Sequence, residues 1–96
     1  LEGIRPRDMK ITEVGDTFFV VEWSVERSVS GYVKYGDTST GVNLIAQDVN
    51  GAVPSKEHVV RISGLTPGKK YYFWVMSDEV AFGRNGRALE VLTVTD

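Results

Sequence analysis

Apolar side chains in this chain recur with a period close to two, and nowhere does a 3.6-residue period persist for three turns. A period of two sends successive side chains to opposite faces of an extended strand. Such a chain can bury its apolar half only by closing one sheet against another. Seven segments carry the pattern: Met9–Val14, Thr17–Glu26, Gly31–Gly36, a weaker one over Val42–Ala46, Glu57–Ser63, Lys70–Ser77 and Ala88–Val94. Pro6, Pro54 and Pro67 all fall between them, as they must, because proline cannot donate to a ladder. The pattern predicts an all-β, seven-stranded antiparallel β-sandwich.

The 96 residues make one domain with a single core. The chain starts without Met, at "LEGIRPRD", and reads as a piece of a longer protein, with residues 1–8 as linker and Leu1 and Glu2 as a cloning remnant. A net charge of −2 with scattered Lys and Arg argues against nucleic acid. No apolar run approaches the roughly 20 residues that span a bilayer, so membrane insertion is not expected. There is no cysteine, which excludes disulfides, thiolate metal sites and thiol catalysis.

Between the fifth and sixth segments stands Leu65-x-Pro67-Gly68-x-x-Tyr71. It resembles the tyrosine corner of fibronectin type III domains, which implies their immunoglobulin-like sandwich. There the Leu plugs the core, Pro-Gly reverses the chain, and the Tyr hydroxyl bonds back to the corner's backbone. Trp23 is similar to that family's core tryptophan, and "YVKYG" with the later "NG" looks like the modules of bacterial multidomain surface proteins. The N-terminal domain of purple acid phosphatases is similar too. The resemblance covers nearly the whole chain and gives Trp23, Leu65, Pro67, Gly68 and Tyr71 structural roles. Gly31 departs from it, standing where many such modules place a core tyrosine; Tyr35 is the expected substitute.

Alternation anchored on Trp23 and Tyr71 places Phe19, Val21, Val25, Phe73 and Val75 inside, with Val33, Tyr35, Val60, Ile62, Leu89, Val91 and Thr93. Tyr72, Trp74 and Met76 must then point away, joined by Tyr32 and Lys34 on one side and Glu90, Leu92 and Val94 on the other. Each large aromatic brings about 150–250 Å², so two or three reach the ~300–600 Å² of a functional patch. The face is either covered in part by Lys34, Glu90 and loops, or is a contact surface. Tyr32, Lys34, Tyr72, Trp74, Met76 and Leu92 are its candidate residues, and Phe82, Arg84 and Asn85 are candidate loop contacts.

Chemistry finds less support. His58, the one histidine, has no nucleophile-elbow motif to serve and reads as structural. "QDVNG" lacks the third oxygen ligand and closing Glu of a calcium loop and suits turn chemistry. "SDEV" pairs loop acids without a cleft. "GRNGR" precedes no helix that could hold an anion and reads as the turn joining the last two strands. No catalytic residue, metal or cofactor is expected. The resemblance implies a spacer or interaction module of a secreted or cell-surface protein, partnered by neighbouring domains, another protein or weakly by itself. An accessory domain of a hydrolase such as a metallophosphoesterase is one alternative. A carbohydrate platform of Tyr32, Tyr72 and Trp74 is the other.

Overall fold

A computed structural model describes residues 3–51 and 53–95. Two antiparallel sheets pack face to face, with no helix among those residues. The first is β1 (Arg7–Val14), β2 (Phe19–Val29) and β5 (Ser55–Ile62), in the order β1-β2-β5. The second contains β3 (Gly31–Gly36), β4 (Leu44–Gln47), β6 (Lys70–Ser77), β7 (Val80–Phe82) and β8 (Leu89–Leu92). Its order is β4-β3-β6, and both β7 and β8 lie along the far edge of β6.

Period-two sequence becomes a period-two burial pattern. On β2, Phe19, Val21, Trp23 and Val25 are buried while the residues between them are half-exposed. On β6, Tyr71, Phe73 and Val75 are buried. Val33, Val60, Ile62, Leu65 and Val91 complete the core. Phe19 and Phe73 meet across the sheets with ring centroids 5.2 Å apart, and both are fully buried. Each such side chain contributes about 1.5–3 kcal/mol relative to exposure. Tyr35 and Leu89 pack against this core while only partly buried.

The corner before β6 is clamped at Thr66. Its amide donates to the Tyr71 hydroxyl at 2.8 Å, and its carbonyl accepts from the Thr93 hydroxyl at 2.6 Å. Gly68 has φ +64°, a left-handed conformation that suits glycine. Leu65 is buried beneath the turn, and its amide donates to the Thr17 carbonyl at 2.9 Å.

Four features differ from the sequence reading. There are eight strands, because Val80–Phe82 forms a short β7. It returns from β6 through a two-residue turn whose Asp78 and Glu79 both have positive φ (49° and 68°). That is the hairpin geometry Asn-Gly normally marks, here written without glycine. Secondly, residues 3–8 are not a linker: Ile4 is buried, the Gly3 carbonyl accepts from the Arg27 amide at 2.9 Å, and β1 begins at Arg7. Leu1 and Glu2 lie outside the described residues.

Thirdly, the space at Gly31 is filled by His58 and Trp23. A Cβ on Gly31 would fall 2.9 Å from both rings, so the gap is taken from the opposite sheet rather than by Tyr35. Finally, "GRNGR" does not join two paired strands. β7 pairs β6 as Val75↔Phe82 and Ser77↔Val80, whereas β8 pairs it as Phe73↔Leu89 and Lys70↔Leu92. The two are one last strand, interrupted opposite Trp74 by residues 83–88. Arg84 and Arg87 bond each other's backbone at 2.9 and 3.0 Å around Asn85 (φ 54°) and Gly86 (φ 75°), making a tight hairpin within the strand.

Candidate interaction face

The outward side of the five-stranded sheet is built in cross-strand rows. Ile45 on β4, Lys34 on β3 and Trp74 on β6 stand in register. Tyr72 sits beside Glu90, and Lys70 beside Leu92. The exposed apolar ends are Ile45 (53% exposed) and Leu92 (61%), with Tyr72 and Trp74 half-buried between them. Lys70 Nζ lies 3.3 Å from Glu90 Oε1, so one ion pair sits within the face. Val94 is also half-exposed beyond the end of β8.

Trp74 is held in place by a glycine. A Cβ at Gly83 would lie 2.7 Å from the indole and 1.9 Å from the Arg87 carbonyl oxygen. No side chain fits there, and the base of the residue 83–88 hairpin therefore lies directly against the ring.

Met76 does not belong to the exposed face. It points outward by alternation but is buried, 5% exposed. Tyr32 flanks it on β3 and Ala81 on β7. The Tyr32 hydroxyl donates to Glu79 Oε2 at 3.3 Å, a bond that passes across β6 and closes the row over Met76. Burial, then the negative charge of Glu79 and the bond to it, push the Tyr32 phenol above its ordinary pKa. Of the three rings a sugar could stack on, Tyr32 is thus tied to Glu79 and Trp74 to Gly83. Ile45 was missed in the sequence. The signal was there in "LIAQ", where placing Ala46 inward turns Ile45 out.

The loop candidates are scattered. Phe82 is half-buried on β7 with the Arg5 guanidinium 5.6 Å from its ring centroid, while Arg84 and Asn85 are exposed on the hairpin. His58 and Asp48 are buried together, Nδ1 to Oδ2 at 2.8 Å, and the imidazole stacks on Trp23 at 5.2 Å. The other Asp48 oxygen accepts from the Asn50 amide at 2.8 Å, which is the turn chemistry of this Asp-x-Asn-Gly. A histidine 1% exposed cannot reach a substrate. Among the described residues no group of three or more His, Cys, Asp or Glu is placed to hold a metal. Nor is any helix long and apolar enough to cross a membrane.

This sandwich, with its corner at Tyr71 and its core tryptophan on β2, has a match in sequence. The fibronectin type III domain family model matches residues 5–91. The chain belongs to the fibronectin type III family. No curated protein matches the sequence. Among solved fibronectin type III domains, the FN5 domain of Drosophila Lar is similar at 26% identity and TM-score 0.57, covering 95% of this chain and 96% of that one. The fibronectin type-III domain of human fibronectin type III domain containing protein 3 shares the fold at 17% identity and TM-score 0.61, covering 100% and 90%. So does the sensor domain of the anti-sigma factor RsgI4 of Pseudobacteroides cellulosolvens, at 13% identity and TM-score 0.67, covering 99% and 98%. Fibronectin type III domains are commonly modules of larger chains and generally non-catalytic.

Proposed function

We propose that this fibronectin type III domain is a non-catalytic interaction module of a secreted or cell-surface protein, and that its contact surface is the outward face of the five-stranded sheet. The observation that supports this is the band from Ile45 through Lys34 and Trp74 to Tyr72 and Leu92, exposed most at its two apolar ends. Its mechanism is rigid display. The ladders on both sides of β3 and β6 fix the backbone, so the face loses little freedom when a neighbouring domain or a second copy covers it.

Ile45 and Leu92 are cleaner probes than Trp74, whose ring also supports the residue 83–88 hairpin. Light scattering over a concentration series should show weak self-association that Leu92→Lys or Ile45→Lys abolishes. Titration with the adjoining domain of the parent protein should show the same dependence. The reading is lost if neither substitution, nor Trp74→Ser, changes self-association or the affinity for that domain.

A further inference from the structure

Away from that face, the two sheets part along one side of the sandwich. β1 pairs only with β2, and β8 only with β6, so among the described residues each presents one edge with no partner strand. The two edges meet at one end, where the Val94 amide donates to the Gly15 carbonyl at 3.0 Å. From that closure they diverge into a groove of about 800 Å³. Met9, Ile11 and Leu89, all half-buried, line it with the edge of the core at Phe73. A smaller pocket beside Arg5 and Phe82 continues it, sharing Met9 and Leu89.

The rim is basic. Lys10 stands on the β1 side, and the hairpin that interrupts the last strand places Arg84 and Arg87 on the other. Among the described residues neither arginine is in an ion pair. Lys10 faces Glu22 across the β1–β2 ladder without a salt bridge. Among the described residues the one carboxylate lining the groove is Glu90, already matched with Lys70 at 3.3 Å.

We infer that this groove takes an extended peptide segment of alternating apolar and acidic residues, which adds as a strand to the free edge of β8. Three features require those three properties of the occupant. An unpaired edge offers amides and carbonyls that only another extended backbone satisfies in register. An apolar floor selects alternate apolar side chains, because successive residues of a strand face opposite ways. Arg84, Arg87 and Lys10 select acidic ones on the outer side, where arginine grips a carboxylate with two parallel bonds. The interrupted last strand thereby has a use: the hairpin carries its arginines off the sheet to the mouth of the groove. β1 is the poorer edge, since its pairing breaks register at two places and Asp8 takes a positive φ of 52°.

The test is an amide chemical-shift titration with a capped peptide of about six residues alternating Val and Glu, ~20 Å long when extended. Shifts are expected in Met9–Ile11 and Leu89–Leu92, with weaker binding as salt is raised. Arg84→Glu with Arg87→Glu should weaken binding about tenfold or more. Both positions are exposed, so the variant keeps the fold, which its own amide spectrum verifies. Methylating alternate peptide nitrogens should abolish binding in one phase of the alternation and spare it in the other, since only one phase faces β8. The inference is overturned if the Val-Glu peptide causes no shift, or if a Val-Lys peptide binds equally. It is overturned too if both methylation phases behave alike, or if polyphosphate reproduces the shifts, which would make the rim a simple anion site. Chain dimerisation that competes with the peptide would assign the groove to a second copy instead.

Discussion

His58 lies nearly parallel to Trp23, 25° between the rings and 5.2 Å between centroids, in the volume that Gly31 leaves free. The three positions sit on β5, β2 and β3, so this packing ties the two sheets together. Gly31→Ala would place a methyl group 2.9 Å from both rings, so one of them must shift. It should destabilise the domain by about 1–3 kcal/mol. The same substitution in a His58→Ala background should cost less, because the Trp23 ring can shift into the vacated space, leaving a coupling of roughly 0.5–3 kcal/mol in a double-mutant cycle. Denaturant melts of the four proteins measure it, and purely additive effects would show that the glycine is not required by the histidine.

How far the sequence carried the fold can be seen strand by strand. β3 and β6 run over the segments their alternation marked, because an outward residue between two buried ones leaves no other register. What escaped was whatever depended on a partner distant in sequence. β7 was hidden because Asp78 and Glu79 adopt a glycine-type turn without glycine. The interruption of the last strand was hidden by the reverse: Asn85-Gly86 is a true hairpin signal, but the hairpin it makes stands inside one strand's path. Alternation gave Met76 its direction and could not show that Tyr32 and Glu79 close over it. Gly31 departs from the family pattern because His58, distant in sequence, takes the space beside it.

The corner at Thr66 yields a sharper test. Tyr71→Phe keeps the ring and removes the oxygen that accepts the Thr66 amide at 2.8 Å. An amide stripped of its acceptor in a part-buried site should cost about 1–3 kcal/mol. Thr93→Val removes the donor to the Thr66 carbonyl and should cost a similar amount. Since both grip one residue, their effects should not add. Thermal melts with unchanged midpoints would mean that the corner is held by its Pro-Gly turn alone.

The β6–β7 turn stores strain that can be released. Glu79 has φ 68°, a conformation costing a side-chain-bearing residue roughly 1–2 kcal/mol. Glycine carries no such penalty there but loses about 0.5–1 kcal/mol through its freer unfolded chain. Glu79→Gly should therefore stabilise the domain by up to about 1 kcal/mol, or ~4–8 °C in Tm. The exposed bond from Tyr32 at 3.3 Å is too weak to reverse this. A lower Tm would show that the bond closing over Met76 matters more than the backbone.

Tyr32 makes the pH behaviour of the face readable. Burial is the first reason its phenol is raised above the usual value near 10; the charge of Glu79 and the hydrogen bond to it come next. A phenol raised in the folded state keeps its proton after the unfolded chain has lost it. Its contribution to stability is thus complete below pH 10 or so, and fades as pH climbs from the unfolded value through the folded one. Glu79→Gln removes the charge and leaves the burial. The titration of Tyr32, followed by the shift of its ring carbon bearing the hydroxyl, should move down only part of the way toward the ordinary value. Complete return would mean that Glu79 alone sets it and that the ring is not desolvated against Met76. No movement would mean that the Glu79 carboxylate never reaches the hydroxyl, and the closure over Met76 would then need another cause.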